Sequence, residues 1–243
     1  MGARVDGGRK RQGRTQRKPG QGGERLLSQR VFAELERSII RREHPPGTHL
    51  VEEEVAVAMG ASRMPVREAF RMLEREGWLE IQPYAGAYVR QPGLNEIRDV
   101  FELRHPLGAV AAELASIRAT PDQVAELKRL IDASRPAVEQ HDIEQLAELN
   151  WEFHRALARA AGNALLERAI EDLDKRIRWH FAATLYARAG ESWREHEAIV
   201  AAVAAQDAAL AGRLTFDHSR RSEAAFVRAE YAENDGAEPA AAG

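Results

Sequence analysis

The chain has 243 residues, no cysteine, 35 Lys plus Arg and 38 Asp plus Glu, for a formal net charge of −3. That length suggests one or two domains. The lack of Cys excludes a disulfide scaffold, an iron–sulfur centre, a Cys-type zinc finger and a thiol nucleophile. No run approaches the ~18 consecutive apolar residues of a membrane span. The basic N-terminus lacks the apolar run of a secretory signal. A cytoplasmic protein with no membrane partner is the expectation.

The charge is unevenly spread. Residues 1–23 carry +6, residues 24–92 carry −1 and the remainder carries −8. The first segment is rich in Gly, Gln and Arg and has too little apolar surface to offset ordering entropy. It is expected to be a disordered basic tail, either simply solvated or drawn to phosphates. Residues 231–243 are expected to be a disordered acidic tail.

Between the tails, periodicity predicts a helix over 26–43, with Val31, Leu35 and Ile39 every four residues. His44-Pro45-Pro46-Gly47 stops it. A short strand over Thr48–Val51 follows, then a short helix opened by Glu52-Glu53-Glu54, which suit the positive end of the helix dipole. Gly60 caps that helix. Ser62 is a good N-cap for the next helix, with Pro65 in its first turn. Val66, Ala69, Phe70 and Leu73 form its buried stripe.

Arg63, Arg67, Arg71 and Arg75 fall at steps of four on another face of that helix. The spacing fits a helix entering the major groove. It equally fits a solvated face paired with Glu68, Glu74 and Glu76. After Gly77, residues 78–81 and 87–89 flank a turn ending at Gly86 and predict a hairpin. Helix, strand, helix, helix, hairpin is a winged helix-turn-helix, assigned to residues 24–92.

Residues 93–230 are Ala-, Leu- and charge-rich and predict six helices, near 95–118, 121–139, 142–161, 164–188, 191–205 and 207–229. The fold class is mainly α: a winged helix-turn-helix with a small hairpin wing, then an all-α bundle of six or seven helices. Asn150 and His154 share a face with Leu146 and Leu157. His196 shares one with Ile199 and Val203, and His218 with Leu210 and Leu214. Three inward histidines on three helices fit hydrogen-bonded core residues or ligands of one centre.

Two stretches carry a resemblance. Gly60-Ala61-Ser62-Arg63-Met64-Pro65-Val66-Arg67-Glu68-Ala69-Phe70 resembles the GntR family of bacterial repressors, whose pattern is Gly-x-Ser-Arg-x-Pro-Val-Arg-Glu-Ala-Leu. Only its last fixed position differs. The resemblance implies that Ser62, Arg63 and Arg67, with Arg71 on the same face, meet DNA, and that the wing at Gly86 touches the minor groove. Glu53 departs from the non-acidic residue common there; an acid weakens phosphate binding, which the basic tail is expected to offset.

Glu102-Leu103-Arg104, Phe153-His154-Arg155-Ala156-Leu157, Ala161-Gly162-Asn163 and Glu195-His196-Glu197-Ala198-Ile199 resemble the effector domain of the FadR subgroup. That likeness implies a divalent metal on Asn150, His154, His196 and His218, with Asn150 standing where Asp is common. Imidazole and oxygen donors suit Zn, Ni or Mn. Neutral ligands leave the centre near +2 and favour a small carboxylate effector. Arg104 and Asn163 are the effector-binding candidates, Arg104 as a carboxylate fork or as a structural ion pair. His105, His141 and His180 are expected to be structural.

The implied protein is a homodimeric transcription regulator, not an enzyme, bound to a pseudo-palindromic operator and modulated by its effector. Three alternatives stand beside it. One is the same regulator with a metal-free effector pocket. Another is an architectural DNA binder whose second domain only dimerises. The last is a helical-bundle metalloenzyme, which would need paired Glu-x-x-His motifs; the chain has one such spacing, Glu102 to His105.

Overall fold

The computed structural model describes residues 21–83, 85–91, 93–181 and 188–235. Most of both predicted tails lies outside them. The chain divides into two compact units, one holding residues 49–88 and the chain up to Glu36, the other holding 37–48 and the chain from Val89. Among the described residues no helix is long and apolar enough to cross a membrane.

Helix α1 (Gln21–Ile40) buries Val31, Leu35 and Ile39, as their spacing predicts. It begins five residues earlier than expected and ends three earlier. The stop is local: Arg42 takes a left-handed φ of 61°, and Glu43 N–H donates to Ser38 O at 3.0 Å. This is the closing bond of a Schellman turn. Strand β1 (His49–Leu50) and helix α2 (Glu52–Ala58) follow. Gly60, at φ 59°, closes α2 with the bond from Ala61 N–H to Ala56 O at 2.9 Å.

Helix α3 (Arg63–Arg75) starts after Ser62, whose backbone is extended but whose side chain makes no capping bond. Val66, Ala69, Phe70 and Leu73 are all buried, so the stripe is the core face of the unit. Gly77 turns the chain into β2 (Leu79–Gln82), which pairs with β3 (Gly86–Val89). The sheet order is β1-β3-β2, with His49 opposite Tyr88 and Leu50 opposite Ala87. The predicted hairpin thus gains β1 as a third strand.

The second unit is a bundle of α4 (Leu94–Arg118), α5 (Pro121–Gln140), α6 (Ile143–Ala160), α7 (Ala164–Phe181), α8 (Ala189–Ala204) and α9 (Ala208–Asp235). Six helices match the expectation. Helix α4 runs along α9 and also packs on α6 and α7, while α5 packs on α6 and α8. The starts are set by caps. Thr120 and Gln123 form a capping box at α5, and Asp142 and Asp207 accept from Gln145 N–H and Leu210 N–H at 3.0 Å each. The core is Leu- and Ala-rich around Phe153, Trp193 and Ile199.

Helix α9 runs six residues past its predicted end. The predicted stretch after α7, residues 182–187, lies outside the described residues.

Candidate functional site

In the first unit, Arg63, Arg67 and Arg71 are exposed on α3 and line one groove with Gly86, His49, Glu52 and Glu53. Ser62 is exposed at the helix start, outside that lining. The acid partner of Arg67 lies on α2 rather than on α3. Arg67 Nε and Nη2 donate to the two carboxylate oxygens of Glu52 at 2.9 and 2.8 Å. Arg63 lies 3.7 Å from the same carboxylate and 3.9 Å from Glu53. Arg71 pairs with Glu68 at 3.1 Å. The Arg67 hydrogen bonds hold the Glu52 carboxyl below its ordinary range, outweighing its desolvation.

Gly86 has φ 107°, a conformation that L side chains rarely adopt. A Cβ there would collide with the His49 ring, which stacks on Tyr88 at 4.7 Å. The tip of the wing is therefore shaped by a histidine that the sequence offers no motif to find.

In the second unit, α6, α8 and α9 bring His154, His196 and His218 together, with one ring nitrogen of each within 4.8 Å of the others. His196 is fully buried and His218 is 4% exposed. Phe153 stacks on His196 at 4.1 Å and Trp193 meets it edge-on at 4.9 Å, which holds the ring in place. Burial is the main cause that pushes His154 and His196 well below the ordinary imidazole range. His218 is lowered less, because the Glu195 carboxylate opposes its desolvation. All three imidazoles are therefore neutral near pH 7, the form that ligates.

His218 Nδ1 lies 2.8 Å from Glu195 Oε2, which accepts its hydrogen and leaves Nε2 to face the cluster. Burial raises the Glu195 carboxyl, but His218, Arg188 and Arg221 together lower it by more. His154 Nδ1 and His196 Nδ1 are buried with no hydrogen-bond partner. Three neutral imidazoles with ring nitrogens within 4.8 Å of one another, and two buried ring nitrogens left without a partner, fit a divalent cation. Asn150, four residues before His154, lines the same cavity.

That cavity measures about 70 Å³. One water needs about 10–15 Å³, so it accommodates a molecule of a few heavy atoms. Arg104, buried in its wall, donates from Nε to Asp174 Oδ1 at 2.5 Å and from Nη2 to Oδ2 at 3.4 Å. The structural reading of Arg104, an ion pair, is what these bonds show, and the same side chain lines the cavity. Desolvation raises the Asp174 carboxyl more than Arg104 lowers it. Gly108 makes room for this pair, since a Cβ there would collide with Arg104 Nη1. Arg178 also lines the cavity, paired with Glu148 and 5.8 Å from the Trp151 ring centre.

Asn163 is placed elsewhere. It is exposed, outside the cavity lining, and its Oδ1 accepts from Leu165 and Leu166 N–H at 3.1 and 3.2 Å. It caps α7, the work expected of Asn after a helix-stopping glycine. His105 is buried and bonded to Ser219 and Glu223, and His141 ends α5 in a left-handed turn at φ 55°. The His180 side chain lies outside the described residues. Sequence reasoning missed Asp174, Glu195 and Ser219. Asp174 had a signal: it continues the buried Leu166–Ile170 stripe of α7 at a step of four.

Comparison with known proteins agrees with this layout. Residues 27–89 match bacterial regulatory proteins of the gntR family, and residues 99–221 match the FCD domain. The chain is 32% identical over 147 residues to the HTH-type transcriptional repressor RspR of Escherichia coli K12, across 60% of this chain and 64% of that one. It thus spans less than two thirds of that relative. A probable D-xylose utilization operon transcriptional repressor of Paenarthrobacter nicotinovorans is 31% identical over 197 residues, 81% of this chain and 85% of that one.

Among solved structures, Escherichia coli McbR/YncC shares the fold with a TM-score of 0.71 at 24% identity, covering 84% of this chain and 98% of that one. With a family domain spanning half of its length and a relative matched over most of its own, this chain belongs to the GntR family of bacterial regulatory proteins, with an FCD domain as its helical part.

Proposed function

We propose that the protein is a transcription regulator, working as a homodimer on a pseudo-palindromic DNA operator, with residues 24–92 reading DNA and residues 93–230 taking a small carboxylate effector. The observation that carries the effector half is the convergence of His154, His196 and His218, two of which, His154 and His218, line a cavity that Arg104 also lines. His154, His196 and His218, with Asn150, would hold a divalent Zn, Ni or Mn. When bound, that ion supplies positive charge for a carboxylate oxygen. Arg104 supplies the guanidinium beside it, Glu195 keeps His218 in its ligating tautomer, and Phe153 and Trp193 exclude water from the His196 side.

In the DNA-reading half, the exposed Arg63, Arg67 and Arg71 are aimed by α3, and Gly86 sits at the wing. The effector shifts the population between DNA-competent and incompetent dimers. Two named relatives are repressors, which supports repression as the sign.

The test is metal analysis of the purified protein, followed by operator binding with and without short carboxylates. One tightly held divalent ion per chain and an operator affinity that moves with a carboxylate are expected. Metal-free protein whose DNA binding ignores every acid would overturn the proposal. A metal-free effector pocket is the second reading, favoured by His196 Nε2 and His218 Nε2 lying 3.1 Å apart, close enough to bond each other. His154→Ala would then leave the effector response intact.

A further inference from the structure

The wall that α9 gives to this cavity has a hydrogen-bond polarity. Thr215, Ser219 and Ser222 all line it. Thr215 Oγ1 donates to Ala211 O at 2.9 Å, and Ser222 Oγ donates to His218 O at 3.0 Å. A hydroxyl has one hydrogen and two lone pairs. With their hydrogens committed to the helix, these two groups offer the cavity only lone pairs.

Ser219 reaches the same state by another route. Its Oγ lies 2.7 Å from His105 Nδ1, and His105 Nε2 lies 3.0 Å from Glu223 Oε2. An ionised carboxylate only accepts. When the His105 imidazole is neutral, Glu223 takes its single hydrogen at Nε2, which leaves Nδ1 as an acceptor. The Ser219 hydrogen turns toward Nδ1 and away from the cavity. Ser219 and His105 are 6% and 7% exposed, so the Ser219–His105 half of this relay is buried, while Glu223 at its outer end is partly exposed.

Arg104, which also lines the cavity, is a donor only. A ligand suited to both kinds of group accepts from the guanidinium and donates to the hydroxyls. The volume of about 70 Å³ limits it to a few heavy atoms. We infer that Ser219, oriented by His105 and Glu223, is a specificity-determining residue that selects a short hydroxyl-bearing carboxylate over its deoxy counterpart. This rests on the effector-site reading proposed above and adds to it the ligand class and the residues that choose it.

The experiment is calorimetric titration of the full-length protein at pH 8, above the ordinary imidazole range, with glycerate, propionate and pyruvate, with and without added zinc. Glycerate is expected to bind about tenfold tighter than propionate, because each added hydrogen bond is worth roughly 2- to 10-fold. Ser219→Ala removes about 3- to 10-fold of that preference, and Ser219→Thr restores it.

Glu223→Lys is the sharper variant. Lysine only donates, so it drives the imidazole hydrogen to Nδ1 and releases the Ser219 hydrogen into the cavity. Pyruvate, whose keto oxygen only accepts, then gains on glycerate. A relay that merely braces α4 against α9 would lower the melting temperature of this variant and leave the order of preference unchanged, which overturns the inference. Equal affinity of the parent protein for glycerate and propionate also overturns it, and leaves the effector site standing. Binding of none of the three acids, with or without zinc, overturns both.

Discussion

Glu52 grips Arg67 from a neighbouring helix, through both carboxylate oxygens and two guanidinium nitrogens, at 2.9 and 2.8 Å. The grip leaves Nη1 of Arg67 as its outward donor group and places a negative charge beside the proposed DNA face. Two variants separate these effects. Arg67→Ala is expected to weaken operator binding by about 10- to 100-fold with helical content and metal content unchanged. Glu52→Gln keeps the shape and removes the charge. Non-operator DNA then binds several-fold tighter, while the ratio of operator to non-operator affinity falls. Anisotropy titrations over a salt series give both quantities; an unchanged ratio for Glu52→Gln would mean that the pair does not orient Arg67.

The wing gives a second prediction. Gly86→Ala meets two obstacles, a backbone at φ 107° and the ring of His49. Alanine at a positive φ destabilises by more than about 1 kcal/mol. His49→Ala in the same chain removes the collision and not the backbone penalty, so it recovers only part of the loss. Thermal melts of the single and double variants, read beside operator affinity, measure the two contributions. Full recovery in the double variant would show that the backbone carries none of the penalty.

Acid is expected to unfold the metal-free helical unit by a definite route. His154 and His196 titrate well below the ordinary value of 6.5 when folded. Above about pH 6.5 both folded and unfolded chains hold them neutral, and they make no contribution to pH dependence. As pH falls below that point the unfolded chain takes up protons that the folded one refuses. Stability is lost at up to about 1.4 kcal/mol per pH unit for each histidine, until the folded values are reached. Urea melts at pH 8, 7, 6 and 5 test this, with His196→Gln expected to flatten the slope. Bound zinc is released over the same range, because protons compete for the imidazoles.

The Arg104–Asp174 pair is buried, so removing one partner has a larger effect than removing both. Arg104→Leu strands a carboxylate and is expected to cost about 3–5 kcal/mol, much of it recovered by adding Asp174→Leu. Burial already raises the Asp174 carboxyl. Protonation is therefore its way out, and the loss in the single variant should shrink between pH 8 and pH 5. A double-mutant cycle at both pH values checks the direction. Additive losses would mean that the two side chains act independently.

Much of this was legible from residue spacing. Start and stop signals marked two of the bundle helix ends, since Thr120 and Gly162 act within one turn of where they sit. The inward placement of His154, His196 and His218 followed from their apolar helix-mates, and the resemblance joined them into one centre. Contacts between distant segments were not legible. Glu52 and Arg67 are 15 residues apart, Arg104 and Asp174 are 70, and His105 and Ser219 are 114. No local period reports which acid meets which base across a bundle. Asn163 shows the opposite failure, a residue of the shared motif whose local capping bonds account for it without a ligand.

Gly108 has no side chain, and the placement of Arg104 uses that absence. A glycine inside a helix gives up about 1 kcal/mol of local stability relative to alanine. In α4 that concession opens a notch one turn beyond Arg104, and the guanidinium lies in it. A side chain at this position would force the Arg104 guanidinium to shift from where it now holds Asp174. The anion recognition proposed for this bundle would thus rest as firmly on an absent methyl group as on the arginine that would touch the ligand.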